Sequence, residues 1–522
     1  MNSKITIPIA VVISVIVTTG IMYSIGFEQE IQVTQTPEPE IVYVEKSFSE
    51  ILEGTNKIKK ISSQEELANI LQVSALFGGH FYDNRARTVN FAFSEEAMMM
   101  DEAAMPATGS ESFRESKSHG GSDDYSSTNV QVENVDEPDY LKNDGKYVYI
   151  VSRNTLSIID AYPAENASLI LKIALDVEHQ YNQNMFLNGE RLVIFYNGQS
   201  DREIIPEFDF IPRQSYDPVT HALIIDISDR ENPSILKDYS IDGHFMDARM
   251  IGDYAYFVTN SHINHQYPRF PVIMEDSVPI MIPEAFYFDN IEEFSNFNTL
   301  TAIDVFGDTI NSETFLMGYT GTFYVSENNF YLTYQQNLSF GFHEDSSRDR
   351  FFDVIVPLLP VSVQDEIKSI QSDSSLSSAQ QWSMISEVMQ NSYNQMNKDE
   401  KDKLFEDIKE ALMEYDTKIQ EDIRKTIIHK IAIDEEKIEY VAKSSVPGIL
   451  LNQFSMDENG DRFRVATTTE IHTQYEGTIR SNAVYILDEN LNTVGGLDQI
   501  APDESIFSAR FIDDRLYMVT FQ

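Results

Sequence analysis

From Asn129 onward one short unit recurs along the chain, and this recurrence constrains the fold more than any other feature. The unit is a β-hairpin: a strand, a tight polar turn, and a second strand rich in Tyr, Val, Ile and Phe. It appears first at Tyr140–Ile150, turning at Asn143-Asp144-Gly145, then at Met185–Phe195 around Asn188-Gly189 and at Ala248–Val258 around Gly252-Asp253. It continues at Phe323–Thr333 around Glu327-Asn328-Asn329, at Phe454–Thr467 around Asn459-Gly460-Asp461, and at Ala509–Thr520 around Asp513-Asp514. A unit repeated this way must bury its apolar faces against its own neighbours.

Between the hairpins lies a second pattern, an apolar strand closing on Asp: Leu156–Asp160, Leu223–Asp226, Leu300–Asp304 and Val484–Asp488. The carboxylate at that place is expected to cap a turn into an outermost strand. A hairpin with two further strands makes a four-stranded blade, and a blade has two faces to cover. Radial packing covers both, so the reading is all-β: a β-propeller of four-stranded blades.

Two stretches interrupt the pattern. Residues 363–424 change to helical period, with Trp382, Ile385, Val388 and Met389 on one face and Leu404, Ile408, Leu412, Tyr415, Ile419 and Ile423 on another. They are expected to form an inserted helical hairpin lying on the blades. His262–Ser295 carries Pro268, Pro271, Pro279 and Pro283 among aromatics and reads as a long surface loop.

The amino-terminal part is organised differently. Ile5–Gly26 carries no charge and is long enough to span a bilayer as a helix; Lys4 precedes it, and Glu28 and Glu30 follow. The positive-inside rule places residues 1–4 in the cytoplasm and the body outside, anchored by a single pass, or secreted if the segment is a cleaved signal peptide. Residues 27–83 read as a stalk with a short helix, begun by a capping box of Ser63 and Glu66 and striped by Leu67, Ile70 and Leu71. Residues 84–128, rich in Ser, Gly, Glu, Ala and Met, read as a flexible linker, leaving 129–522 as the propeller domain.

Composition removes several function classes. With 84 acidic against 38 basic residues the formal charge is -46, which repels phosphate backbones, so nucleic acid is not an expected partner. The chain has no cysteine, which excludes disulfides, thiolate metal sites and thiol nucleophiles.

The run Asn129–Asp139, followed by Lys142-Asn143-Asp144-Gly145-Lys146-Tyr147, resembles the opening of a family of exported proteins with a carboxy-terminal β-propeller domain, distantly similar to WD40 proteins. Further matching blocks are Lys425–Ile431, Val446-Pro447-Gly448, Leu451–Glu458 and Arg464–Thr468. The resemblance implies fold and export, and it implies no catalytic residue. It also implies further blades beyond Gln522, where the sequence stops in the second strand of a hairpin, as a truncated record would.

Motifs that carry chemistry are sparse. There is no G-x-S-x-G elbow and no H-E-x-x-H. His262 and His265 have the spacing of a metal pair, but their neighbours supply no further ligand. Asp457, Asn459 and Asp461 alternate like the start of a calcium loop, yet Arg462 and Thr468 stand where that loop needs Gly and Glu, so a hairpin turn is the simpler reading. Asn166 and Asn337 head glycosylation sequons. No cofactor is required, Ca2+ being the one cation these residues suggest. The expected role is a membrane-anchored binding or scaffolding module for a cell-surface protein or glycan. The alternatives are an exported hydrolase with its site in the propeller funnel and an envelope-assembly factor acting through the helical insertion.

Overall fold

The computed structural model describes residues 58–77, 130–152, 155–175, 184–204, 213–264, 268–288, 296–336, 350–373, 375–473 and 477–522. Ile5–Gly26 and the 84–128 segment lie outside them. No helix among the described residues is long and apolar enough to cross a membrane.

First come β1 (Ile58–Lys60), α1 (Gln64–Phe77) and the short β2 (Val135–Asp136). Blade 1 is β3 (Leu141–Asn143), β4 (Tyr147–Ser152), β5 (Thr155–Asp160) and β6 (Ser168–Ala174), adjacent in that order. Blade 2 begins with β7 (Asn184–Asn188), β8 (Arg191–Ile204), β9 (Arg213–Asp226) and β10 (Ser234–Asp242). Blade 3 starts with β11 (His244–Ile251) and β12 (Tyr254–His262). The chain then runs through β13 (Ile273–Glu275), β14 (Val278–Met281) and β15 (Glu284–Phe288), and completes blade 3 with β16 (Asn296–Asp304) and β17 (Ile310–Met317).

Blade 4 opens with β18 (Thr322–Val325) and β19 (Asn329–Gln335). After α2 (Val361–Ser372), α3 (Ser378–Gln395) and α4 (Lys398–Ile423), it closes with β20 (Lys425–Asp434) and β21 (Lys437–Pro447). Blade 5 is β22 (Met456–Asn459), β23 (Arg462–Thr473), β24 (Gly477–Leu487) and β25 (Thr493–Ile500), and β26 (Ser505–Ile512) pairs with β27 (Arg515–Phe521) in a sheet of two strands.

All six expected hairpins are present, each joining the first and second strands of its sheet. The turn chemistry explains their sequences: Gly252 has φ 57° and Asp513 has φ 51° at equivalent places, a left-handed conformation open to Gly and tolerated by Asp. Three of the four strand-closing aspartates cap turns as expected, and Asp160 instead lies 3.9 Å from Lys146. Asp226 accepts the Ser228 N–H, Asp304 those of Phe306 and Gly307, and Asp488 those of Asn490 and Asn492. Asp434 closes β20 at the matching position in blade 4.

Period two in the strands becomes alternation between neighbouring blades. In β12, Ala255 and Phe257 join the core shared with blade 2, whereas Tyr256 and Val258 join the core shared with blade 4. In β8, Leu192, Ile194 and Tyr196 face blade 1, whereas Val193 and Phe195 face blade 3. Each such large side chain, fully buried, contributes roughly 1.5–3 kcal/mol. In β27, Leu516 and Met518 turn to blade 5 while Tyr517, Val519 and Phe521 remain exposed.

The structure departs from the sequence reading in three places. The stretch 262–295 is no simple loop: β13 and β14 extend the outer edge of blade 2, and β15 runs parallel to β17 on blade 3. Pro279 is tolerated there because β14 is an edge strand with no ladder partner beyond it. Blades 2 and 3 therefore exceed four strands, while the last sheet has two. The insertion has three helices instead of a hairpin, because Val363, Ile367 and Ile370 supply a buried stripe to α2 before the polar break at Asp373. α4 packs on β23, as expected of helices lying on the blades.

Residues 58–77, within the expected stalk, sit on blade 3. β1 pairs with β15, and Leu67 and Leu71 of α1 pack on Ala285, Phe297 and Leu316. The capping expectation for α1 is met in part: the Ser63 hydroxyl accepts the Glu66 N–H at 3.1 Å, while the Glu66 carboxylate accepts from the N–H of Ser62, one residue before the one a capping box would use, at 2.7 Å.

Candidate functional site

The residues that resemble a family opening turn out to bind the blades to one another. Val130–Asp139 is a short strap, at most about 35 Å when fully extended. Its β2 pairs with β11 of blade 3, and Asp139 bridges to Met185 in β7 of blade 2. Gln131 donates to the carbonyls of Gln453 and Met456 at the start of blade 5, Asn134 donates to Glu327 in the blade 4 turn, and Asp136 takes Lys142 from β3 of blade 1. One strap can reach five blades only where their first strands converge, so it lies on the propeller axis.

Two buried cations fix it there. Lys142 is 5% exposed, and its Nζ donates to Asp136 Oδ1 at 2.9 Å and to the Glu137 carbonyl at 2.6 Å. Arg249, in β11, is 3% exposed; it donates to Asp247 Oδ2 at 2.8 Å and Gln453 Oε1 at 3.0 Å, and Glu137 Oε1 stands 3.8 Å away. Its guanidinium lies 5.1 Å from the centre of the Phe323 ring, a cation–π contact to blade 4. A buried charge is tolerable only with such partners. The strap is thereby tied to the blades by the chain's own ion pairs and hydrogen bonds, which link the blades to one another.

Each sequence candidate can now be placed. Asp457 is engaged by Arg464, whose Nε donates to Oδ2 at 3.0 Å. Asn459 donates to the Asp513 carbonyl at 3.2 Å, tying the blade 5 turn to the following hairpin, and Asp461 lies 3.6 Å from Arg462. These three thus work as an ordinary hairpin turn among arginines. His262 ends β12, exposed, opposite Asn296; His265 lies outside the described residues. Among the described residues no three His or carboxylate groups gather as a metal set. Asn166 is exposed in a 3-10 turn, Ala164–Asn166, and Asn337 lies outside the described residues.

Sequence reasoning missed Arg249 altogether and gave Lys142 no role. The available signal was an Arg flanked by Ala248, Met250 and Ile251 in a strand whose alternate residues are core. It also missed a His–carboxylate pair on blade 2, where His221 Nδ1 is 2.8 Å from Asp238 Oδ1 and the ring stacks on Tyr196 at 4.6 Å. The carboxylate orients the imidazole, and Gly198 makes room for it, since a Cβ there would stand 3.2 Å from the ring.

The convergence of five blades on one strap agrees with what comparison with known proteins finds: a family model described as a beta propeller domain matches residues 125–522. The chain belongs to that family. This propeller is also similar to an uncharacterized protein of Methanocaldococcus jannaschii, 25% identical over 493 residues, which cover 90% of this chain and 68% of that protein. An uncharacterized protein of Archaeoglobus fulgidus is 26% identical over 422 residues, covering 76% of this chain and 60% of that one. The matched part of the chain thus spans 68% of the length of the first of these relatives and 60% of the second.

Proposed function

We propose that the protein is a membrane-anchored, extracytoplasmic propeller that acts as a binding or scaffolding module, held by Ile5–Gly26 and presenting its outer loops and insertion to a cell-surface partner. One observation carries the reading. The axis, where a propeller enzyme would gather its catalytic groups, is occupied by residues 130–139 and their ion pairs with Lys142 and Arg249. Such an axis favours a rigid scaffold whose function sits on loops. The uncharged run after Lys4 supports the anchor.

The test is membrane fractionation and protease accessibility of the full chain in cells, followed by chemical cross-linking on intact cells. The reading expects the body in the membrane fraction, digestion from outside, and reproducible capture of a surface partner. A body protected from external protease, or repeated failure to capture any partner, overturns it.

A further inference from the structure

The helical insertion has its own core, built from Val356, Leu359, Val363, Ile367, Ile370 and Ile385, apart from the cores between blades. At one end its helices part. A cleft of about 680 Å³ opens between the start of α2, the second half of α3 and the first turns of α4. That is within the range of volumes that ligand sites occupy.

Among the residues that line it, Leu359 and Val363 are buried and Val388, Met396 and Leu404 half-buried, and these five make an apolar floor beneath polar and charged neighbours. The rim is acidic: Glu366, Glu400 and Asp407 face one cation, Lys403. Glu400 is held in place by capping α4, taking the Asn397 N–H at 2.9 Å. Neither Glu366 nor Asp407 forms an ion pair among the described residues, so two carboxylates overlook an apolar floor without neutralisation. A chain of formal charge -46 adds a long-range field of the same sign.

We propose that this cleft holds a basic peptide segment of a partner protein, with an apolar side chain seated on the Val388 and Leu404 floor and Lys or Arg paired to Glu366 and Asp407. Helix-walled grooves take such segments by an apolar anchor, and the charges set which partner enters. A second copy of this acidic chain would be repelled. The inference rests on the binding-module reading and names the chemistry of one partner.

The test uses the full chain and fluorescence anisotropy of a labelled Leu/Lys peptide, with the same peptide carrying Glu for Lys as its charge-inverted form. The Leu/Lys peptide is expected to bind, and to lose at least about fivefold in affinity in Asp407→Lys and again in Val388→Trp, which fills the floor. Asp402→Lys, a charge-matched change on the far face of α4, should leave affinity within about twofold. Ser392→Trp, on the lip of the cleft, repeats the blocking test if Val388→Trp does not fold. Equal losses in Asp402→Lys and Asp407→Lys would reduce the binding to diffuse attraction and overturn the proposal. Undiminished binding with the cleft filled, or equal binding of the charge-inverted peptide, would overturn it too. If the cleft fails while partner capture on cells persists, the module reading stands without this site.

Discussion

Glu313 is a carboxylate in a costly place, and its removal should stabilise the protein in a pH-dependent way. It lies in β17 directly opposite Glu284 of β15, a like-charge pairing across parallel strands. Burial pushes its carboxyl up to about 7 from an ordinary value near 4.5, Glu284 and Glu439 push in the same direction, and Lys60 opposes them. Between those two values the folded protein keeps a proton that the unfolded chain has released. Stability therefore falls as pH rises from about 4.5 to about 7 and stays reduced above that. At 1.36 kcal/mol per pH unit the bound is about 3.4 kcal/mol, and because solvent reaches one side of the group about 1–2 kcal/mol is the expected effect. Glu313→Gln keeps the shape and removes the charge. Urea unfolding of both proteins from about pH 5 to pH 8 should show the variant gaining about 1–2 kcal/mol over wild type as pH rises, with little difference at the acid end. Parallel profiles would refute the reasoning, since they would mean that Glu313 titrates alike in folded and unfolded chains.

Three further outcomes follow from the same structure. His429 is fully buried among the rings of Phe288, Tyr334 and Tyr440, with Nδ1 3.1 Å from the Tyr440 hydroxyl and Nε2 without a partner. Burial, with Lys443 adding, holds its pKa well below the ordinary 6.5, so the unfolded chain takes up a proton that the folded one refuses and stability falls as pH drops below about 6.5. His429→Phe should flatten that acid limb in thermal melts. Arg249→Met leaves Asp247 and Glu137 uncompensated at the axis and should cost about 3–5 kcal/mol in guanidinium unfolding. Gly448→Ala meets both a φ of +90° and a Cβ position 2.8 Å from the Thr468 carbonyl oxygen, and should cost about 1–3 kcal/mol, read from the melting temperature.

The blades were legible because turn chemistry and period two are local properties. Asn188-Gly189 and Gly252-Asp253 mark hairpins whatever surrounds them, and alternation along β8 and β12 announces faces buried on both sides. What failed were elements whose stability is tertiary. β15 is a short strand in a Pro-rich stretch, and it exists because β17 offers it a parallel edge on one side and β1 pairs on the other. No window of sequence contains that edge. The break between α2 and α3 was hidden for a different reason: Asp373 and Ser375 close a small side-chain turn, which a helical-period count passes over.

The axis shows why charge content could be read and charge placement could not. A total of 38 basic residues against 84 acidic ones predicts an acidic surface, and says nothing about which cations are withdrawn from it. The fold withdraws Lys142 and Arg249 almost completely, spending them on Asp136, Glu137 and Asp247. Every cation buried this way neutralises acids at the centre and removes a positive group from the outside. Because these cations take acids inward with them, the exterior keeps the acidic excess of the composition, and the rim of the helical cleft, with Glu366 and Asp407 outside any ion pair among the described residues, continues that field beside an apolar floor. A partner drawn by the field needs positive charge. To stay, it needs an apolar group as well, because exposed ion pairs alone contribute little. Both requirements meet in the cleft, and for that reason high salt should slow association with a basic peptide more than it speeds release of the seated apolar anchor.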